Sequence, residues 1–287
     1  MIGAAPVAGP LQDEPVALPR SASWIMRAGE HPARLHRILL SWPEAPVPSG
    51  GYPVLFLADG GAAFPTAAEI ARLRTGRGAK DVGPGLVVGL GHAGEGPYDR
   101  AARTRDYTPS FPAAPAGTGG ADAFLDFILG DLLPELERRF PVDRARLALF
   151  GHSFGGLLAL YAFLSRPGLF HRVAAASPSL WFAEGAPMEM ARRFAAAPPP
   201  AGAGSSLLLT VGGLEEADDG TPRGPVRVAR RMVTRARDLA TILRGGGVSV
   251  DFTEFPGENH GSVLPAALSR AVPFALPPAL PEAGAPQ

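Results

Sequence analysis

The sequence predicts one α/β domain: a single doubly wound, mostly parallel sheet with helices on both faces. Two observations predict it. Strand-like and helix-like segments alternate along the chain without an internal repeat. The central strand candidates, such as YPVLFLAD and SLLLTVGG, are apolar runs without polar alternation, which is typical of strands buried on both faces. The 287 residues, 46% of them hydrophobic, suffice for a full-sized core.

Each element has its own signal in the sequence. Apolar or alternating runs bounded by Gly and Pro predict strands at Ser23–Arg27, Arg34–Trp42, YPVLFLAD, GLVVGLGH, RLALF, RVAAASPS, SLLLTVGG and VSVDFTEF. Helical spacing predicts helices at Thr66–Leu73, Ala121–Phe140, the segment through Ser165, PMEMARRFAAA, VRVARRMVTRARDLATILRGGG and LPAALSRAVPFA. Pro134 predicts a kink or break within its helix. Residues 93–120 are a long Gly- and Pro-rich loop, and loops of this length are commonly functional.

The predicted domain spans residues 21–276, between proline-punctuated segments 1–20 and 277–287 that are predicted to be flexible. The first twenty residues lack the basic cluster and unbroken apolar stretch of a signal peptide. No segment nears the roughly 18 apolar residues of a membrane span. A cytoplasmic protein without a membrane partner is therefore predicted.

Composition excludes several classes of function. The 27 Lys and Arg balance the 27 Asp and Glu, and no basic stripe is visible, so a nucleic-acid partner is not expected. The absence of cysteine excludes disulfides, thiolate metal sites and cysteine nucleophiles.

The candidate nucleophile is Ser153, in the G-x-S-x-G pattern of GHSFG. A strand, RLALF, precedes the pattern and an apolar helix, LLALYAFL, follows it. This strand–turn–helix setting presents a serine hydroxyl above the sheet edge, with Gly151 and Gly155 allowing the close approach of strand and helix. The alternative is a glycine-rich turn with an incidental serine.

A serine hydroxyl needs a base, and in this chain order the base follows the last strand. His260 lies there, in the loop GENHGS. The acid that orients the base should follow the preceding strand, SLLLTVGG, where Glu215 has the favoured position and three other acids compete with it, namely Glu216, Asp218 and Asp219.

Backbone amides are the expected donors to the oxyanion that forms when an acyl carbonyl is attacked. The N–H of Phe154, the residue after the candidate nucleophile, is one. The other is expected from Gly60 or Gly61, in the turn after the strand VLFLAD, although an ordinary tight turn would read the same.

Several blocks of the sequence together resemble the family of esterases that contains the enterochelin esterases, which hydrolyse trilactone siderophores. The blocks run in order from about residue 50 to 270 and read FLADGGAAF, RTRDYTPS, GGADAFLDFILGDLLPELERRFPVD, RLALFGHSFGGLLALYAF, ASPSLWF, LLLTVGGLEE and HGSVLPAAL.

The resemblance implies an α/β-hydrolase fold, esterase activity, no metal or other cofactor in the chemistry, and a small ester substrate such as a ferric siderophore. It carries Ser153 over as nucleophile and His260 as base. Some relatives work as a Ser–His pair, so the resemblance leaves open whether Glu215 or any acid completes the triad.

The long loop suits an anionic aromatic substrate. Arg103 and Arg105 are candidates for pairing with catecholate or carboxylate oxygens, and Tyr107 and Trp181, with its neighbour Phe182, for stacking on rings. The alternative is that one of the arginines pairs with Asp106 and only braces the loop.

Other functions remain open on the same scaffold. One is a different reaction of the same catalytic residues, such as acyl transfer or the hydrolysis of general acyl esters, feruloyl esters or peptides. The other is binding without catalysis.

Overall fold

The computed structural model describes residues 16–29, 34–75, 81–94, 96–200 and 204–278. The predicted flexible segments therefore lie mostly outside the described residues. The strands of the described part are β1 (Ser21–Arg27), β2 (Leu35–Ser41), β3 (Tyr52–Ala58), β4 (Leu86–His92), β5 (Val142–His152), β6 (Arg172–Ala176), β7 (Ser206–Gly212) and β8 (Ser249–Phe255).

These strands form one eight-stranded sheet in the order β1-β2-β4-β3-β5-β6-β7-β8. The β1–β2 and β2–β4 pairs are antiparallel, and every pair from β4 to β8 is parallel. All seven residues of β3 are buried, as the unbroken apolar run predicts for a strand with helices on both faces. The predicted α/β-hydrolase architecture is confirmed.

Helices cover both faces of the sheet. They are α1 (Gly60–Thr75), α2 (Arg100–Asp106), α3 (Ala121–Phe127), α4 (Leu133–Arg139), α5 (Phe154–Ser165), α6 (Ala186–Ala196), α7 (Gly224–Arg230), α8 (Met232–Gly245) and α9 (Val263–Ala275). One apolar cluster contains side chains of α1 and α9, such as Phe64 and Leu268, and the other contains side chains of α3, α5 and α8. In the described residues no helix is both long and apolar enough to cross a membrane.

Three segments differ from the sequence-based expectation. The predicted 121–140 helix has a π-helical segment, Ile128–Leu132, directly before Pro134, where the wider turn accommodates the missing N–H of the proline. The predicted long helix after Val226 is divided into α7 and α8 because Arg231 has a left-handed backbone, φ 50°. The 93–120 loop contains α2, whose first turn is capped by the Asp99 side chain.

Candidate active site

The site lies at the edge of the sheet where the parallel strands end. Carboxyl ends of parallel strands meet at one edge, so the residues that follow them become neighbours whatever their separation in the chain. Asp59 follows β3, Ser153 follows β5, Ser177 follows β6, Glu215 comes three residues after β7, and His260 lies in the loop after β8.

Ser153 occupies a sharply turned backbone between β5 and α5. Its φ of 60° and ψ of −116° are rare for a residue with a side chain, and conformations of this kind are stored where the surrounding structure holds them. A Cβ atom at Gly151 would collide with the carbonyl oxygen of Gly155, so only glycine permits this approach of strand and helix. The turn is the strand–turn–helix geometry that the pattern predicts.

The imidazole of His260 reaches Ser153. Its Nε2 lies 3.0 Å from Ser153 Oγ, across 107 residues of sequence. Its Nδ1 lies 2.5 Å from Glu215 Oε2. An ionised carboxylate only accepts hydrogen bonds, so Nδ1–H donates to Glu215, and Nε2 is left to accept from the serine hydroxyl.

Glu215 is the one of the four candidate acids that contacts His260. It is 1% exposed, and its second oxygen, Oε1, accepts from the Gly212 N–H at 2.7 Å and from the Ser177 hydroxyl. Glu216 instead accepts from Thr234, and Asp219 accepts from Thr221. Asp218 accepts from the N–H of Gly220 in its own turn.

Two helix N-termini flank the serine hydroxyl. Helix α5 begins at Phe154, and α1 begins at Gly60, at the ends of the neighbouring strands β5 and β3. The first N–H groups of a helix have no intrahelical acceptor and favour a developing negative charge. A Cβ atom at Gly60 would lie 2.6 Å from the carbonyl carbon of Gly89, so this turn also requires glycine. Gly61 follows in the first turn of α1, against Pro97.

The loop residues predicted to bind substrate make protein contacts instead. Arg103 pairs with Asp59 through two hydrogen bonds of 2.9 and 2.8 Å, and its Cζ lies 5.6 Å from the centroid of the Phe154 ring. Burial lowers the pKa of Arg103, but the hydrogen bonds and charge of Asp59 raise it by more. Arg105 pairs with Asp106 through bonds of 2.7 and 2.8 Å, which matches the bracing alternative.

The prediction that Tyr107 stacks on substrate is wrong for this structure. Tyr107 is 0% exposed, and its hydroxyl accepts from the Asp59 N–H at 2.9 Å and donates to the Leu90 carbonyl at 3.3 Å. Burial raises its pKa well above the usual value. The ring therefore supports the turn that holds Asp59. Trp181 is half-buried, and its ring centroid lies 6.0 Å from that of Phe154, the residue after Ser153. Its stacking on substrate stays a prediction.

One group of described residues has the chemistry of metal ligands. Side-chain atoms of His36, His92 and Asp106 lie within 4.8 Å of one another. Arg105 engages both oxygens of Asp106, and His92 Nε2 lies 3.1 Å from one of them. A metal ion there would meet a guanidinium group, so the three side chains fit a buried hydrogen-bonded network better than a cation site.

Similarity to known proteins agrees with this geometry. The model of the family described as "Putative esterase" matches residues 35–274. The chain belongs to this esterase family. Ferri-bacillibactin esterase BesA of Bacillus subtilis is 34% identical to it over 267 residues, which cover 88% of this chain and 89% of that protein. A siderophore triacetylfusarinine C esterase of Aspergillus fumigatus is 34% identical over 274 residues, covering 90% and 94%.

Solved structures of the esterase family superpose on this structure over nearly the whole chain. The crystal structure of the BES protein from Bacillus cereus has a TM-score of 0.82 at 30% identity, covering 93% of this chain and 99% of that one. The predicted resemblance and the predicted enzyme class are thus confirmed, and the protein is a carboxylic ester hydrolase.

Sequence reasoning missed three residues of this esterase site. Ser177 contacts Glu215; it lies within the run RVAAASPS, for which the sequence predicts a strand, and the structure ends the strand one residue before it. His152 stacks on His260, with ring centroids 4.6 Å apart, and burial lowers its pKa to about 3, so it stays neutral beside the base. Arg230 lies with its Cζ 4.0 Å from the centroid of the Trp181 ring, and nothing in the pattern of α7 indicated it.

Proposed function

We propose that this esterase hydrolyses an ester bond of a siderophore through an acyl-enzyme formed on Ser153, with His260 as general base and acid and Glu215 as the orienting carboxylate. The observation that carries the proposal is the unbroken hydrogen-bonded chain from Glu215 through His260 to Ser153, at 2.5 and 3.0 Å. The substrate class is supported by the relatives, which are named as siderophore esterases and align over 88–90% of this chain.

Acylation uses the hydrogen bonds that join Glu215, His260 and Ser153. As Ser153 Oγ bonds to the ester carbonyl carbon, its proton passes to His260 Nε2, and the carbonyl oxygen takes on negative charge. Glu215 holds the Nδ1–H of His260 and stabilises the imidazolium that forms. Collapse of the tetrahedral adduct breaks the bond to the alcohol oxygen, which takes the proton from Nε2 and leaves.

The oxyanion of this adduct is assigned to the N–H of Phe154 and to an N–H of the Gly60–Gly61 turn. Both belong to the first turns of helices that begin at the ends of neighbouring strands, where N–H groups without an intrahelical acceptor favour a developing negative charge. Water then attacks the carbonyl carbon of the acyl-enzyme and gives a proton to His260 Nε2. Collapse of this second adduct breaks the bond between the carbon and Ser153 Oγ, which takes the proton back from Nε2 as the carboxylic acid leaves.

Replacing the nucleophile tests the mechanism. Ser153→Ala is expected to lower kcat for p-nitrophenyl esters and for a trilactone siderophore by about 10⁴-fold or more, since loss of a triad serine removes the covalent route. Ser165→Ala is the matched control, because this serine lies at the far end of the same helix and donates only to the Tyr161 carbonyl. Circular dichroism checks that both variants fold.

Undiminished turnover by Ser153→Ala would refute the mechanism. A fluorophosphonate probe separates catalysis from binding without catalysis, because labelling requires an activated hydroxyl. We expect labelling at Ser153 and none in the alanine variant.

Cytoplasmic hydrolysis of an imported ferric siderophore stays a prediction, which cell fractionation of the native protein checks.

A further inference from the structure

A row of aromatic rings leads from the nucleophile to an arginine of α7. Phe154 follows Ser153 directly, and its ring centroid lies 6.0 Å from that of Trp181. On Trp181 lies Arg230, with its Cζ 4.0 Å from the ring centroid. This distance is well inside the range in which a guanidinium is attracted by the face of an indole ring. The Arg230 guanidinium is thus linked to the neighbour of the nucleophile through two aromatic rings.

The charge of Arg230 is uncompensated within the part of the chain that the structure describes. Its helix neighbour Arg227 pairs with Asp219, and Arg237 of α8 pairs with Glu254, but no described carboxylate pairs with Arg230. Burial first, and the positive charge of nearby Arg223 second, lower the pKa of Arg230. Within the described residues, Arg230 thus carries an unpaired positive charge on the Trp181 ring.

Arg103 also lies near the Phe154 ring, but its guanidinium is already paired. Its Cζ lies 5.6 Å from the Phe154 ring, yet both oxygens of Asp59 already hold its guanidinium. A ligand anion would have to displace a buried bidentate ion pair to use Arg103. No such displacement is needed at Arg230, which lies against the Trp181 ring and pairs with no described carboxylate, so its N–H groups can donate to a ligand.

An aromatic acyl group that bears negative charge has the chemistry to occupy this position. Its ring can stack in the aromatic row, and its oxygens can accept from the fork of guanidinium N–H groups. Phenolic hydroxyls are protonated at neutral pH, with an ordinary pKa of about 10. Binding of a trivalent metal displaces those protons, so a metal-loaded catecholate is anionic and the metal-free form is neutral.

We propose that Arg230, held on Trp181, is a specificity-determining residue that binds the negative charge of an aromatic acyl group and makes the esterase prefer a metal-loaded catecholate ester over its metal-free form. The inference rests on the proposed siderophore hydrolysis and names the charge state of the substrate that the site selects.

The test compares kcat/KM for a triscatecholate trilactone in its ferric, gallium(III) and metal-free forms. Arg230→Leu is expected to lower kcat/KM for both metal-loaded forms by about 10-fold to 100-fold, the usual loss when one charged hydrogen-bond partner is removed. The kcat/KM for the metal-free form is expected to fall much less. The ratio of kcat/KM for the loaded form to kcat/KM for the free form therefore decreases. Gallium(III) has the charge of iron(III) without its redox chemistry, so the two complexes should behave alike.

Matched variants isolate the charge. Arg230→Lys keeps the charge and should retain most of the preference for the loaded form. Arg230→Gln keeps a planar head group without charge and should lose this preference. The glutamine variant also replaces the leucine variant if the latter folds poorly. Arg144→Leu is the control for removing a surface cation. Arg144 lies on β5, nine residues before Ser153 and about 30 Å away along an extended strand. Its replacement should change kcat/KM for neither the loaded nor the metal-free form.

The outcomes separate the two proposals. In the first outcome the wild type hydrolyses the trilactone, but Arg230→Leu and Arg230→Gln leave the ratio of kcat/KM for the loaded and free forms unchanged. This outcome overturns the inference about Arg230 and leaves the siderophore proposal standing. A wild type that hydrolyses none of the three forms overturns the siderophore proposal, and this inference with it. A ratio that falls in both uncharged variants and recovers in Arg230→Lys supports the inference.

Discussion

At the scale of single residues, the orientation of Glu215, the proposed orienting carboxylate, depends on a buried serine. Ser177 is 0% exposed, and its N–H donates to the Thr210 carbonyl at 2.7 Å, which fixes the backbone. Its hydroxyl donates to Glu215 Oε1, the oxygen that His260 does not use. The contact stops the carboxylate from turning away from the imidazole, so Ser177 is a positioning residue.

Removing this hydroxyl should lower kcat and leave KM nearly unchanged. Ser177→Ala deletes one hydrogen bond to a buried carboxylate, which is worth about 1.5–3 kcal/mol and corresponds to about a 10-fold to 100-fold loss of kcat if all of it is expressed in the transition state. Steady-state kinetics on p-nitrophenyl esters and the rate of fluorophosphonate labelling at Ser153 check it, and both should fall by the same factor.

Ser177→Gly is the matched variant, because Ser177 has a φ of 43° and glycine adopts this backbone without strain. Both variants lack the hydroxyl, so kcat should fall by the same factor in both, even if the two variants differ in stability. Wild-type kcat in either one would contradict the positioning role.

At the scale of secondary-structure elements, the loop after β7 has two adjacent carboxylates with different tasks. Glu215 turns inward to His260, whereas Glu216 accepts from the N–H and the hydroxyl of Thr234, both at 2.7 Å, in the first turn of α8. An acid at this place satisfies a free N–H and complements the positive end of the helix. The acid loop is thereby tied to α8.

The two glutamates should therefore separate in a mutational test. Glu216→Gln is expected to lower the free energy of unfolding by about 1 kcal/mol, the typical value of a helix cap, with kcat close to that of the wild type. Glu215→Gln should lower kcat by about 10⁴-fold, as an amide favours the wrong tautomer of the base. Urea unfolding and steady-state kinetics on the same preparations measure the two effects. A large loss of kcat in the Glu216 variant would show that the two glutamates do not have separate roles.

The helices also show where sequence patterns stop being informative. The apolar spacing from Val226 to Gly247 is consistent with one helix, and the break at Arg231 has no glycine or proline to signal it. Pro134 did signal an irregularity, which the structure shows as a π-helical segment. Propensity and spacing thus predict that an element exists, while its interruptions depend on tertiary contacts such as the Glu216 cap.

At the scale of the whole molecule, topology explains why the sequence could indicate Ser153, Glu215 and His260. Ser153 and Glu215 follow strands with apolar runs, and His260 follows a strand with an alternating pattern. Parallel strands bring such positions to one edge. Side-chain directions have no such signal. Tyr107 and Arg103 lie in a polar, Gly-rich loop typical of exposed segments, yet the ring is buried and the guanidinium is paired. Contacts between distant segments decide these outcomes.

The fold also buries neutral imidazoles away from the catalytic centre. His36 is 1% exposed, and its ring lies 5.1 Å from that of Phe124 and 4.6 Å from that of Phe127, between centroids. Burial lowers its pKa from 6.5 to about 4, against the opposing charge of Asp106. The unfolded chain therefore binds a proton at His36 between pH 6.5 and about 4 that the folded protein does not bind.

Stability should consequently fall as the pH is lowered through this window. Because the unfolded state binds more protons there, the free energy of unfolding decreases with falling pH, by on the order of 3 kcal/mol for His36 once pH 4 is reached. Buried His152, with a pKa lowered to about 3, acts in the same direction. His36→Phe removes one titrating group in a pocket already lined by aromatic rings. Urea unfolding between pH 7 and pH 4 should give a shallower decline for this variant than for the wild type, and parallel curves would show that His36 does not remain neutral in the folded protein.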